Sequence, residues 1–256
     1  MNVINKVLIA FTIAVLSSTT ARADWYNVQF SNDPAGDPAQ QYSGTGVDPS
    51  SGSTWNLITS TSTIGGPQVL KNSVGVSGTN QIAFSSDGNY KVGATDNGFA
   101  VGSSTYANLF SGYMFTTSTK SFTFSGLDNS KVYSLYIYTQ GEVPKETLSL
   151  QQAGGGSGAI ISYSPGTSTL LTDPSASTLQ LNQNYLIITN VHPVGTAVTF
   201  EYSPGIIGNS NQGNINGIQL SSPVPEPSTL VLMGIGSLLF LAFKLKSVGI
   251  TSAFSV

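Results

Sequence analysis

Residues 120–138 read Lys120-Ser121-Phe122-Thr123-Phe124-Ser125-Gly126-Leu127-Asp128-Asn129-Ser130-Lys131-Val132-Tyr133-Ser134-Leu135-Tyr136-Ile137-Tyr138. Side chains on a β-strand point alternately to its two faces, so Phe122 and Phe124 share one face and small polar residues the other. The second half repeats the pattern, with Tyr133, Leu135 and Ile137 on one face and Val132, Tyr136 and Tyr138 on the opposite one. Between the two runs lies a polar turn. A tyrosine opening a strand just after such a turn can return its hydroxyl to the preceding corner, a device of Greek-key sandwiches. An ordinary turn followed by a core tyrosine fits the same residues.

Working outward, Asn184–Ile188, Ala197–Tyr202 and Ile215–Leu220 give three further strand candidates. Breakers such as Asp87-Gly88-Asn89, Asp96-Asn97-Gly98 and Ser164-Pro165-Gly166 separate the runs. No stretch between residues 24 and 221 offers a capped helical pattern longer than about two turns. The class expected is all-β, an antiparallel β-sandwich over residues 24–221, a length sufficient for one core.

Composition narrows the function classes. Charged residues make up only 8% of the 256, with 28 glycines and a formal net charge of −3. That combination excludes a coiled coil, a basic nucleic-acid binder and a highly charged disordered chain. Residues 24–221 carry five lysines against eleven acids, which repels phosphate and argues against nucleic acid as a partner. Cysteine is absent, which removes disulfides, thiolate zinc sites and thiol nucleophiles.

The two ends read as addresses. Lys6, the apolar run Val7–Leu16 and the small-residue site Ala21-Arg22-Ala23 have the order a signal peptidase recognises, so residues 1–23 are expected to be removed. Ten residues at about 1.5 Å each fall short of a bilayer core about 30 Å thick. The other end reads Val224-Pro225-Glu226-Pro227-Ser228-Thr229, an apolar run Leu230–Phe243, then Lys244 and Lys246. The prolines hold Glu226 in extended chain, and Gly234 and Gly236 suit a membrane helix better than one in water. The lysines place that end on the cytoplasmic side and leave residues 24–221 outside the inner membrane. The expected organisation is a signal peptide (1–23), the β-domain (24–221), one transmembrane helix within a sorting or anchor segment (222–246), and a short tail (247–256).

Val224-Pro225-Glu226-Pro227 followed by a hydrophobic helix and a basic end resembles the PEP-CTERM sorting signal of Gram-negative bacteria. The resemblance implies a partner exosortase, a membrane cysteine protease-like enzyme acting near Pro225-Glu226-Pro227, and a transient stay in the inner membrane. It also implies delivery to the cell surface or an extracellular, exopolysaccharide-rich biofilm matrix. Residues 122–138 together with Asn216-Gly217-Ile218-Gln219-Leu220 resemble the galactose-binding-like jelly rolls of exported PEP-CTERM proteins, which implies fold and not ligand.

Chemistry is sparse. His192 would be the sole imidazole for a triad or metal site, and no G-x-S-x-G elbow accompanies it. Glu142 and Glu146 flank Pro144, which keeps them off one regular helix face. Gly154–Gly158 lacks the Lys-Ser/Thr ending of a phosphate loop. Asp33, Asp37 and Asp48 offer oxygens to a structural calcium ion, without EF-hand spacing; no other cofactor is implied. Among the aromatics Trp25, Trp55, Tyr90, Tyr106, Tyr113, Tyr136 and Tyr138, the expected sugar-stacking candidates are Trp25, Trp55, Tyr136 and Tyr138. The chain is thus expected to be a non-enzymatic surface or matrix protein, the alternatives being a carbohydrate-binding module with a defined glycan site and, more remotely, a hydrolase.

Overall fold

The computed structural model describes residues 25–31, 41–59, 66–91, 105–140, 148–153, 177–204 and 212–222. All belong to one unit, Ala23–Pro223. The strands in chain order are β1 (Trp25–Phe30), β2 (Trp55–Ile58), β3 (Gln68–Lys71), β4 (Ser77–Phe84), β5 (Gly88–Lys91), β6 (Gly112–Thr116), β7 (Lys120–Ser125), β8 (Tyr133–Tyr138), β9 (Leu148–Ala153), β10 (Tyr185–Val191), β11 (Ala197–Pro204), β12 (Gly213–Ile215) and β13 (Gly217–Ser221). Among the described residues the helical content is a single 3₁₀ turn, Pro49–Ser51, so the all-β class holds.

A first sheet has the order β10-β8-β13-β1-β2, a second β3-β4-β7-β11-β9, and a third β12-β6-β5. Pairing is antiparallel except between β1 and β2, which run parallel with Asn27 opposite Trp55. The expectation of a wholly antiparallel sandwich is corrected at that pair. Parallel neighbours need a long crossover rather than a hairpin, and residues 31–54 supply it.

The two five-stranded sheets enclose one core. Val28, Phe30, Leu135, Ile137, Ile218 and Leu220 come from the first sheet, and Ile82, Phe84, Phe122, Phe124, Val198 and Phe200 from the second. Phe30 and Phe84 meet across the layers with ring centroids 4.3 Å apart. Within the second sheet Phe84, Phe122 and Phe200 lie opposite one another on adjacent strands. Their rings stack at 5.8 and 5.3 Å. The alternation read from Phe122 and Phe124 is what lines up this rank, because antiparallel neighbours with period two bring large side chains into cross-strand pairs.

The run Ile215–Leu220, expected as one strand, is broken at Asn216. The buried Asn216 side chain accepts the Gln140 backbone N–H at 2.6 Å and donates to the Gly112 carbonyl at 2.9 Å. At that residue the chain leaves β6 and joins β8 and β1, stepping from the third sheet to the first. The Tyr133 corner is present as the alternation suggested. Asp128 donates its backbone N–H to the Tyr133 hydroxyl at 3.1 Å, and Leu127 beside it is buried.

Candidate functional site

Within the first sheet the strands β1 and β13 are buried on both faces. Tyr26, Val28 and Phe30 of β1 join the shared core, which leaves Asn27 and Gln29 facing the other way, yet both are fully buried. Register sets Asn27 opposite Gln219 and Gln219 opposite Tyr136, while Gly217 faces Tyr138. Polar side chains therefore form rows across the outer face. Buried amides must find partners, and here they take them from each other and from two overlying loops.

Gln219 donates to Asn27 Oδ1 at 2.8 Å, and the Tyr138 hydroxyl donates to Gln219 Oε1. The same hydroxyl accepts the Val47 backbone N–H at 2.8 Å. Asn27 donates to the Ser51 and Thr54 carbonyls at 3.0 and 2.9 Å. Gln29 accepts the Tyr42 N–H at 2.7 Å and donates to the Asn108 carbonyl at 2.6 Å. The segments around 41–54 and 105–111 are thereby pinned to the sheet. Beneath them a second apolar cluster forms from Tyr42, Trp55, Leu109, Phe110 and Tyr138. Burial drives the Tyr138 phenol well above its ordinary pKa, and burial also raises Tyr136, with smaller contributions from Asp48 and Tyr185.

This covering decides the fate of the aromatic candidates. Trp25, Trp55 and Tyr138 are 3%, 2% and 0% exposed, so the expectation that they face a glycan is corrected for these three. Trp55 donates its indole N–H to the Gly44 carbonyl at 2.8 Å beneath the loop. Tyr136 is half-buried, packed 5.4 Å from Trp25. Tyr90, exposed and stacked on Tyr113 at 5.5 Å, offers more surface than any of the four.

Between the two loops opens a cleft of about 280 Å³ lined by Tyr42, Ser43, Gly44, Thr105, Ala107 and Asn108. No feature of the sequence singles these residues out: they sit in Gly/Ser-rich loops far apart in the chain. A second cleft of about 380 Å³ lies where β2 and β3 approach, with Trp55, Asn56, Leu70 and Lys71 among its walls. There Asn56 accepts the Lys71 N–H and donates to the Lys71 carbonyl, both at 2.8 Å. One amide side chain thus occupies part of an open strand edge, the kind of edge that otherwise invites pairing with another chain.

The other sequence candidates are placed as follows. His192 is exposed on the turn after β10. Asp48 accepts the Ser50 N–H and hydroxyl at 2.8 and 2.7 Å, capping the 3₁₀ turn. Asp33 and Asp37, Glu142 and Glu146, and Gly154–Gly158 lie outside the described residues. Among the described residues no group of three His, Asp or Glu side chains is arranged to hold a metal ion. Ala21, Ala23, Val224, Pro225, Glu226, Pro227, Lys244 and Lys246, and with them the transmembrane helix expected over Leu230–Phe243, also lie outside the described residues. No described helix is long and apolar enough to cross a membrane.

The domain is therefore a layered β-unit with a covered outer face, followed in the chain by a segment of separate character. Residues 223–246 match the PEP-CTERM protein-sorting motif, so the chain carries that signal. No curated protein matches the sequence. Among solved structures, the chain is similar to the ANXUR1 extracellular domain from Arabidopsis thaliana at 12% identity and a TM-score of 0.42, over 80% of this chain and 51% of that one. The ANXUR2 extracellular domain from Arabidopsis thaliana aligns at 13% identity and a TM-score of 0.36, over 80% of this chain and 52% of that one. The chain spans about half the length of those ectodomains.

Proposed function

We propose that this chain is cargo of an exosortase: a β-domain exported across the inner membrane and held there by its C-terminal segment until that enzyme acts. The observation that carries the reading is the match of residues 223–246 to the sorting motif, directly after a domain whose described strands end at Ser221. Export, and a surface or membrane-associated location, follow from that motif.

The finer reading is a galactose-binding-like jelly roll that serves at the cell surface or in an exopolysaccharide matrix without catalysing a reaction. Two five-stranded sheets around one core support the architecture. The low charge of the sequence supports contact with hydrated neutral polymers, since few ionic groups compete for their hydroxyls. The lone imidazole, His192, is exposed on a turn, which supports a non-enzymatic role.

In the proposed sorting step, Pro225 and Pro227 keep the Glu226 segment extended and accessible, and a nucleophile of the partner enzyme attacks the backbone there. Leu230–Phe243 holds the substrate in the bilayer, and Lys244 and Lys246 keep its end cytoplasmic.

The experiment is intact-mass measurement of both termini of the protein from parent cells and from cells lacking the exosortase. The expected mature chain begins at Asp24 and, in the parent only, lacks the segment beyond the Pro225–Pro227 region. Identical C-termini and identical fractionation in the two strains would overturn the reading.

A further inference from the structure

We infer that the outer face of the second sheet is a self-association surface, on which a second copy of this chain docks face to face about a two-fold axis. The inference goes beyond sorting and does not depend on it.

The two five-stranded sheets differ in what lies over them. On the first, the outward residues Asn27, Gln29 and Gln219 are fully buried beneath the loops. On the second, register places Val69, Gln81, Ser125 and Ala197 in one row on the side away from the core, and Ala83, Thr123 and Thr199 in the next. Val69 is 55% exposed and the other six are half-buried, so no described segment closes this face. Most of these side chains are small, and Thr123 and Thr199 share a hydroxyl bond at 2.8 Å that holds the middle of the face level.

Charge gives the face a direction. The charged residues of β3, β4, β7 and β11 are Lys71, Lys120 and Glu201. Lys120 lies opposite Tyr202, a core residue, and pairs with Asp87 at 2.6 Å. Lys71 and Glu201 fall on the open face, and neither has an ionic partner among the described residues. They end a diagonal, Lys71–Gln81–Thr123–Glu201, that advances one strand and two residues at each step. At about 4.8 Å between strands and about 3.4 Å per residue, its ends are roughly 25 Å apart.

A two-fold axis lying in the face, across the middle of that diagonal, lays it on its own reverse. Lys71 of each copy then meets Glu201 of the other, and Gln81 meets Thr123. Ser125 and Ala83, beside the axis, each meet their own counterpart. An isologous contact of this kind makes every unlike pairing twice. The Gln81 amide, which makes no side-chain bond among the described residues, gains a hydroxyl partner. By the same spacings the patch spans roughly 300 Å² per copy, against about 800 Å² per partner in a stable complex, so the pair forms only at high local concentration.

The test uses the full chain in mild detergent with micelles in excess, and exploits the absence of cysteine. Under a mild oxidant, Ser125→Cys at about 100 µM is expected to form a disulfide-linked dimer, and His192→Cys, on an exposed turn outside the face, about fivefold less or lower. Added to Ser125→Cys, either Lys71→Glu or Glu201→Lys sets like charges against each other twice, and each is expected to lower the yield about fivefold. An equimolar mixture of those two variants restores both opposite-charge pairs and should regain the parent yield. Should Ser125→Cys fail to fold, Ala83→Cys, also beside the axis, takes its place. The inference is overturned if the face position links no better than His192→Cys (the result for a face met only by water), if the reversals leave the yield unchanged, or if the mixture stays as low as its components.

Discussion

The hydroxyl of Tyr133 closes the corner before its own strand by accepting the Asp128 backbone N–H at 3.1 Å. Gly126, at the head of that corner, has φ +78°, and a Cβ there would lie 2.6 Å from the Thr79 carbonyl oxygen. The corner thus joins β7 and β8, one from each five-stranded sheet, by local and long-range constraints together. Tyr133→Phe removes the hydroxyl that accepts the Asp128 N–H and donates to the Asp128 carbonyl at 3.4 Å, and is expected to cost about 1 kcal/mol in urea unfolding. Gly126→Ala combines a strained φ with a backbone clash and should cost more than Tyr133→Phe. Equal stabilities for the two variants and the parent would contradict a constraining corner.

The amide row on the outer face yields a second prediction. Gln219→Leu leaves Asn27 without its acceptor-side partner and Tyr138 without its own, inside a region closed to water. Each buried polar group stranded in this way costs about 1–3 kcal/mol, so the variant should lose several kcal/mol or fail to accumulate folded. Tyr138→Phe likewise removes two bonds, the donor to Gln219 Oε1 and the acceptor of the Val47 N–H, and should also be destabilising, while Gln219 retains its bond to Asn27. A double-mutant cycle over the two positions is expected to show coupling; simple additivity would mean that the residues act independently.

These two sites show how far the sequence could be read. The corner was legible because Leu127, Asp128 and Tyr133 are neighbours in the chain and the alternation around them has a clear period. The amide row was not. Asn27 and Gln219 are 192 residues apart, and a polar residue alternating with Val28 or Ile218 reads as solvent-facing. The loops that bury them carry no pattern announcing where they will lie, which is also why Trp55 and Tyr138 read as surface aromatics. The break at Asn216 leaves a trace in the sequence, since Ile215 is three residues before Ile218 and out of phase with the Ile218–Leu220 alternation, but the contacts with Gly112 and Gln140 that divide the run there are long-range. The strands Trp25–Phe30 and Ser77–Phe84 were missed because the first is buried on both faces and the second is polar along half its length.

Asp87 provides a pH prediction. Lys120 lies 2.6 Å from its carboxylate, the Thr117 N–H donates at 2.7 Å, and the Thr117 and Thr116 hydroxyls donate at 2.9 and 3.1 Å. Lys120 first, then the Thr117 amide, hold the carboxyl well below the usual carboxylate range, against a smaller opposing effect of burial. A folded-state pKa below the unfolded one makes the stabilisation fully present above about pH 4 and lost as pH falls further toward the folded value. Asp87→Asn should therefore be less stable than the parent at neutral pH, by about 1 kcal/mol for a partly exposed pair. The gap should close on acidification below about pH 4. Urea midpoints of both proteins across that range check it; a gap independent of pH would show that the charge on Asp87 contributes nothing.

The prolines of the sorting segment give the last prediction. Proline fixes φ, removes a backbone donor and disfavours helix in the residue before it, so on the proposed reading, in which Leu230–Phe243 is a membrane helix, Pro225 and Pro227 would keep that helix from extending upstream through Glu226. Replacing both by alanine permits that extension and withdraws the backbone from the enzyme's reach while leaving residues 1–23 and Leu230–Phe243 untouched. Pro225→Ala with Pro227→Ala is accordingly expected to be exported normally, to lose its signal peptide, and to accumulate in the inner-membrane fraction with its C-terminus intact. Fractionation with terminal mass measurement reads all three outcomes at once. Normal release of the double variant would show that the enzyme recognises the segment by something other than its extended proline-framed backbone.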